Sequence, residues 1–181
     1  MTDLEGAVRE LKDRQEIYDC LVRYCRGMDR FDRDVLRSAY HPDALDDHGE
    51  FVGTVEGFID YYFAYHTKYQ HRTAHQLSNH SCEIDGDTAH CETYWTFSAI
   101  NKSEPVHTSG TGRYIDRLEK RDGKWRIAAR ICVVDSPSAD PERASGRQSF
   151  APTARDRSDP RYMRPLVIDP ARINNRSADL V

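Results

Sequence analysis

Two spacings of hydrophobic residues divide most of this 181-residue chain into a helical part followed by a strand part. Over residues 15–28, apolar side chains recur every three or four positions, which is typical of one face of an amphipathic helix. That face consists of Ile17, Cys20, Leu21, Tyr24, Cys25 and Met28. The pattern also predicts a short helix over 34–40, a short strand over 46–52 and a further helix that begins after the N-cap residue Thr54.

From residue 71 onward the spacing of hydrophobic residues changes to two, as in β-strands with one buried face. The pairs Asp85-Gly86 and Asp122-Gly123 interrupt this alternation, and Asp-Gly between alternating runs indicates a hairpin turn. The predicted strands cover residues 71–84, 88–100, 106–119 and a fourth run that begins at residue 124. Helices followed by an antiparallel meander predict an α+β fold with about four to six strands.

The composition changes after residue 135, which divides the chain into a domain, residues 1–135, and a Pro/Arg-rich tail, residues 136–181. The tail contains six of the eight prolines and eight arginines but no lysine, and proline interrupts helices and ladders, which predicts an extended conformation. Because the tail also contains apolar residues, we expect it to wrap around the domain or a neighbouring subunit, with simple disorder as the alternative. These apolar residues are Phe150, Tyr162, Met163 and the cluster Leu166-Val-Ile168.

Charge, hydropathy and cysteine usage argue against several classes of partner. The 26 basic and 30 acidic residues give a net charge of −4 and are spread without blocks, so we expect neither nucleic acid nor a membrane as partner. No apolar run approaches the roughly 20 residues that span a bilayer, and the first residues lack the features of a secretory signal.

The five cysteines have no zinc-like spacing, and we expect reduced, mostly buried thiols in a cytoplasmic protein. The sequence has neither a GxGxxG motif nor a P-loop, so a nucleotide cofactor is not expected.

The stretch TAHQLSNH, residues 73–80, places His75 in a run with the pattern of a half-buried strand. Either this histidine is a satisfied structural residue, or it faces a cavity and takes part in chemistry there. A metal site with His71 and His80 is not expected, because His80 would point to the opposite face and no carboxylate has ligand spacing. We therefore expect no metal and no other cofactor, and the role of His75 depends on its protein partner.

Three short motifs, taken in their order along the chain, resemble the SnoaL-like branch of the NTF2-like superfamily. They are Tyr24-Cys-Arg-Gly-Met-Asp29 at the end of the first helix, Gly112-Arg-Tyr-Ile-Asp116, and Asp122-Gly-Lys-Trp-Arg-Ile127. The resemblance covers residues 8–135. It implies a cone-shaped α+β barrel in which N-terminal helices pack on a curved antiparallel sheet, with an apolar cavity between the two layers.

The resemblance also implies a catalytic pair. The families with the most similar mechanisms are scytalone dehydratase, bile-acid 7α-dehydratase and hexachlorocyclohexane dehydrochlorinase, which pair a pocket histidine with an aspartate at the end of the first helix. By position, His75 matches the histidine, Asp29 the aspartate and Tyr24 a pocket tyrosine of the bile-acid enzyme. A second dehydratase tyrosine falls near His48, and a further polar position falls near Ser98.

A carboxylate that accepts from one imidazole nitrogen fixes the tautomer of His75 and leaves its other nitrogen as a base. Such a base suits the removal of a proton from carbon next to a carbonyl, and the hydroxyl of Tyr24 would polarise that carbonyl. The alternatives are a core position for Tyr24, a helix-capping role for Asp29 and a solvated loop around His48.

We therefore expect a cofactor-independent lyase of the dehydratase type, or an isomerase, that acts on a small hydrophobic cyclic molecule. Besides His48, the expected substrate-binding residues are aromatic: Phe58, Tyr61, Tyr62, Trp95 and Phe97. The alternative is a non-catalytic module for small-ligand binding or oligomerisation. Because an open sheet has a convex face that must be covered, we expect a homo-oligomer, a trimer as in the dehydratases or a dimer.

Overall fold

The computed structural model describes residues 4–136 and 150–180, so that residues 137–149 of the predicted tail lie outside the described residues. The helices are α1 (Leu4–Arg30), α2 (Arg33–Ser38) and α3 (Val55–Tyr69). The strands are β1 (Tyr40–His48), β2 (Phe51–Thr54), β3 (Gln70–Asp85), β4 (Thr88–Asn101), β5 (His107–Arg121) and β6 (Lys124–Ser136). In the described part of the chain, none of the helices combines the length and the apolar character that a membrane span requires.

Six strands form one curved sheet that does not close on itself, in the order β2-β1-β6-β5-β4-β3. The strands from β3 to β6 form the predicted antiparallel meander. Both Asp-Gly hairpins are present, and Gly86, Asp122 and Gly123 have the positive φ angles that these turns need. The predicted α+β class, with N-terminal helices packed on a curved sheet, is confirmed.

Two details of the sheet differ from the prediction. The single short strand expected over 46–52 is a hairpin, in which β1 and β2 meet at Gly49 with a φ of 72°. In addition, β1 runs parallel to β6 in a sheet that the sequence predicts to be antiparallel. The order of the elements explains the parallel pair. β1 follows α2 in the chain and pairs with the free edge of β6, the last strand. Pro42 falls where the β1–β6 register shifts, a position at which proline is tolerated.

The predicted apolar face of α1 is buried, and all six of its residues lie in the main hydrophobic core. The crossing of α1 over α2 depends on Gly27, because a Cβ there would lie 2.5 Å from the backbone nitrogen of Leu36. Only glycine allows this close approach. The approach fixes the last turns of α1, from which Tyr24 and Asp29 project.

One ion pair is fully buried between the helices and the sheet. Arg130 on β6 donates to both carboxylate oxygens of Asp116 on β5, at 2.7 and 2.8 Å. The guanidinium carbon of Arg130 lies 4.1 Å from the ring centroid of Tyr24 and 4.0 Å from that of Tyr114. The pair thereby holds a tyrosine of α1 and a tyrosine of β5 in place around one charge.

The described part of the tail packs against the convex face of the sheet. Leu166 and Ile168 are buried there in a second apolar cluster. The strand residues of this cluster are Val52, Ile115, Ala129, Ile131 and Val133. Arg172 adds a pair of hydrogen bonds to the carboxylate of Asp47 on β1, at 2.5 and 2.9 Å. The tail therefore covers part of the convex face, which reduces the area available to a neighbouring subunit.

Replacement of Asp116 by Asn is expected to lower the free energy of unfolding by about 3–5 kcal/mol, because it leaves a buried guanidinium without its counter-charge. Urea denaturation measures this loss. The matched control is Arg121→Met, which removes surface ion pairs with Asp43 and Glu119, and the expected cost is less than about 1 kcal/mol for each pair. Equal losses in the two variants would contradict the structural role of the buried pair.

Candidate active site

The structure brings His75 and Asp29 into contact, although 46 residues separate them in sequence. His75 Nδ1 donates to Asp29 Oδ1 at 2.7 Å, and the backbone N–H of His75 donates to Oδ2 at 2.8 Å. The hydroxyl of Thr73 donates a further hydrogen bond to Oδ1 at 3.0 Å. Because a carboxylate only accepts, Nδ1 of His75 carries the proton of this hydrogen bond.

The end of α1 explains this contact. Asp29 occupies the last turn of the helix, and Phe31 leaves the helix with a φ of 54°, so the carboxylate faces β3. Partial burial opposes ionisation, but the hydrogen bonds from His75 and Thr73 outweigh it and lower the pKa of Asp29. Asp29 is therefore ionised at neutral pH and stabilises a positive charge on the imidazole of His75.

A second histidine–aspartate pair lies on β1 and is more deeply buried. His48 Nδ1 donates to Asp46 Oδ1 at 2.7 Å, while Tyr40 donates to Asp46 Oδ2 at 2.5 Å. Tyr62 donates to the backbone oxygen of His48 at 2.7 Å. Burial disfavours a charge on His48, but the neighbouring Cys132 sulfur and the Asp46 carboxylate raise its pKa to about 10. This raised pKa favours a proton on both ring nitrogens of His48.

Tyr24 lies between the two pairs. Its hydroxyl oxygen is 3.5 Å from His48 Nε2, and its ring centroid is 6.4 Å from that of His75. Burial raises the pKa of Tyr24 well above its ordinary value, so the hydroxyl is neutral. Tyr24 belongs both to the hydrophobic core and to the cavity wall, two roles that the sequence presents as alternatives.

His48, His75 and Tyr24 face one cavity of about 370 Å³. This volume is in the range of sites for small molecules. The five aromatic residues expected in the wall are all present: Phe58, Tyr61, Tyr62, Trp95 and Phe97. Ser98 does not line the cavity, whereas Phe150 of the tail does.

The polar residues at the site that the sequence did not predict include Asp46, His66 and Gln70. Burial lowers the pKa of His66 to about 4, so its ring is neutral, and its Nδ1 is hydrogen-bonded to Gln70 Oε1. Residues two apart in a strand share a face, and this signal would have linked Asp46 to His48. The helix around His66 is rich in aromatic residues, and its pattern carries no comparable signal.

Comparison with known sequences gives the family of this chain. The profile of the SnoaL-like domain matches residues 9–131, which is more than half of the chain. The chain belongs to the SnoaL-like domain family. No curated protein sequence matches it significantly.

Solved structures show the same fold at low sequence identity. Hexachlorocyclohexane dehydrochlorinase LinA type 2 is 21% identical, with 81% of this chain and 97% of that chain covered and a TM-score of 0.66. A Novosphingobium aromaticivorans protein assigned as a scytalone dehydratase is 16% identical, with coverages of 72% and 89% and a TM-score of 0.65. An NTF2-like superfamily protein from Salmonella enterica is 21% identical, with coverages of 70% and 92% and a TM-score of 0.58. These matches confirm the NTF2-like fold and, at such identities, concern the fold alone.

The raised pKa of His48 predicts how stability changes with pH. A histidine whose pKa rises from about 6.5 to about 10 on folding stabilises the folded state fully below pH 6.5. This contribution is lost as the pH rises through 10, so the free energy of unfolding should fall over that interval. Urea denaturation at a series of pH values measures the slope.

The SnoaL-like protein offers a matched pair of variants for this test. His48→Gln should lose the contribution of this group to the slope, because glutamine does not titrate. His71→Gln replaces an exposed histidine and should keep the slope of the parent protein. A His48→Gln variant with an unchanged slope would show that His48 is not protonated at neutral pH.

Proposed function

We propose that this SnoaL-like protein is a cofactor-independent lyase of the dehydratase type, or an isomerase, for a small hydrophobic cyclic molecule. The observation that supports this most directly is the His75–Asp29 pair at the wall of an aromatic cavity that also contains His48. In this proposal His75 accepts a proton and His48 donates a hydrogen bond, which is the division that acid–base chemistry requires.

His75 is the base in this proposal. With Nδ1 bound to Asp29, its Nε2 removes a proton from a carbon next to a carbonyl group of the substrate. The imidazolium that forms is stabilised by the ionised carboxylate of Asp29. Acid–base assistance of this kind contributes about 10²- to 10⁴-fold to the rate.

His48 and Tyr24 stabilise the charge that develops on the carbonyl oxygen. A pKa of about 10 makes His48 a poor proton donor at neutral pH, but a strong hydrogen-bond donor to an oxygen that becomes negative. The neutral hydroxyl of Tyr24, 3.5 Å from His48 Nε2, provides a second donor at the same place. The two groups therefore favour an enolate without transferring a proton to it.

The fate of the proton on His75 decides between the two reactions. Where the substrate has a hydroxyl β to the carbonyl, the imidazolium of His75 gives its proton to that leaving group, and water and an unsaturated ketone result. Where no leaving group is present, the proton returns to a different carbon and a double bond moves. Both reactions begin with the same proton abstraction, so a test of that step examines both.

Deuterium exchange tests the proton abstraction directly. In D₂O, a hydrophobic cyclic ketone such as α-tetralone should gain deuterium next to its carbonyl group in the presence of the protein, as measured by mass spectrometry. His75→Ala should slow this exchange at least about 100-fold with little change in melting temperature, because His75 lines the cavity and does not fill the core. His71→Gln, on the same strand, is the matched control and should keep the rate.

Binding of the ketone, measured by tryptophan fluorescence, distinguishes catalysis from ligand binding alone. Tight binding without exchange would identify a non-catalytic ligand-binding module and contradict the proposal. Equal exchange by His75→Ala would assign the base to another residue.

Asp29→Asn should also slow the exchange, because the amide no longer stabilises the imidazolium of His75 and permits the wrong tautomer. This variant should lose about 1–3 kcal/mol of stability as well, since Asp29 accepts hydrogen bonds from Thr73 and from the backbone of His75. Thr73→Val is the matched control: it removes one hydrogen bond to the carboxylate and should lower stability while most of the exchange rate remains. Equal rate losses in the two variants would assign Asp29 a structural role only.

We further propose that the protein forms a homo-oligomer, a trimer or alternatively a dimer. The tail covers only part of the convex face, and Tyr94 on β4 remains 40% exposed. Light scattering at micromolar concentration measures the state, and a monomer there would contradict the proposal.

A further inference from the structure

A cluster of three metal-ligand side chains lies on the β3–β4 hairpin. A ring nitrogen of His80 and the sulfur atoms of Cys82 and Cys91 all lie within 4.8 Å of one another. Cys82 and Cys91 are directly opposite each other in the register of β3 and β4, and His80 precedes Cys82 by two positions on the same strand. None of the three lines the catalytic cavity.

The imidazole of His80 is already oriented by a hydrogen bond. Its Nδ1 lies 2.8 Å from Oγ1 of Thr93, and its Nε2 is buried without a hydrogen-bond partner among the described residues. Histidines that bind metals use one nitrogen as the ligand and hold the ring in place with the other. An ion would also satisfy the buried nitrogen, which is costly to leave unpaired.

Both cysteines are free thiols, so neither sulfur is committed to a disulfide and both can ligate an ion. Cys82 is only partly buried, so an ion can reach the pair from solvent.

We propose that His80, Cys82 and Cys91 bind Zn²⁺ or a similar thiophilic divalent cation, with water as the fourth ligand. One nitrogen and two sulfur ligands suit zinc and are unsuitable for Mg²⁺ or Ca²⁺, which prefer oxygen. Two thiolates and a neutral imidazole cancel the charge of the ion. Ligands of a tetrahedral zinc lie about 3.5 Å apart, so small side-chain rotations close the site.

The bound ion would stabilise the hairpin beneath the first half of α1. Arg14 of this helix donates to the backbone oxygen of Cys82 at 2.8 Å, and the ring of Tyr18 packs edge-on against His80, with centroids 5.6 Å apart. None of its ligands lines the cavity, so the site is independent of the function proposed there.

Cobalt binding tests the proposal with the full-length, tag-free protein, reduced and freed of metal by a chelator. Addition of Co²⁺ alone should produce the near-ultraviolet band of thiolate-to-cobalt charge transfer and the visible bands of a tetrahedral ion, with saturation at one equivalent. Zn²⁺ should then displace the cobalt and abolish both sets of bands. Competition with a chromophoric chelator should give a zinc Kd below the micromolar range, and zinc should raise the melting temperature.

Matched variants assign the ligands. Cys82→Ser and His80→Gln should each weaken zinc binding at least about tenfold, and Cys82→Ser should reduce the charge-transfer band. His71→Gln should bind like the parent. His80 is only partly buried, so we expect His80→Gln to fold. Circular dichroism measures the folding of each variant. His80→Gln therefore tests the site even if a cysteine variant folds poorly.

Three outcomes would overturn the proposal. The first is the absence of a thiolate-to-cobalt band in the parent protein. The second is equal binding by His80→Gln, Cys82→Ser and the parent. The third is a disulfide between Cys82 and Cys91 in the protein as isolated, found by mass spectrometry, which would make the pair a redox site.

Discussion

The buried guanidinium of Arg130 is the constraint on which the cavity wall depends. A charge at this depth is tolerated only when it is paired, and Asp116 supplies two hydrogen bonds from the neighbouring strand. One terminal nitrogen of Arg130 has no hydrogen-bond partner among the described residues, and the rings of Tyr24 and Tyr114 cover the group at about 4 Å. The helix that carries Tyr24 must therefore lie over β5 and β6, and this placement brings the tyrosine hydroxyl to His48.

The two histidine–aspartate pairs have the same composition but different surroundings. Asp29 sits at a helix end where its side chain is 11% exposed, and it accepts hydrogen bonds from the backbone and the ring of His75. Asp46 is fully buried on a strand, and it acts together with the Cys132 sulfur to raise the pKa of His48 against the effect of burial. In the proposed function, the surroundings of the two histidines therefore separate a base from a hydrogen-bond donor. The function proposed for the cavity rests on this separation.

The sequence predicts the parts of this architecture that depend on periodicity and on local turns. The helical face of α1 and both hairpins follow from spacing alone, and the resemblance to a family pairs Asp29 with His75 across 46 residues. Features that depend on register across strands are missing from the prediction. The parallel pairing of β1 with β6 is one example, and the contact of Cys82 with Cys91 is another, because their spacing along the chain matches no zinc motif. The pairing of Asp46 with His48 is a different case, because the alternation of a strand over residues 46–52 already places both side chains on one face.

The tail connects the convex face of the sheet to the candidate site on the concave face. Asp46 and Asp47 are consecutive residues of β1, so their side chains point to opposite faces. Asp46 binds His48 on the cavity side, and Asp47 binds Arg172 of the tail on the other. Phe150, in van der Waals contact with Gly49, completes the cavity wall beside this strand. Because β1 lies near the edge of the sheet, these contacts hold it on the side that β6 does not cover, and the tail thereby helps to position His48.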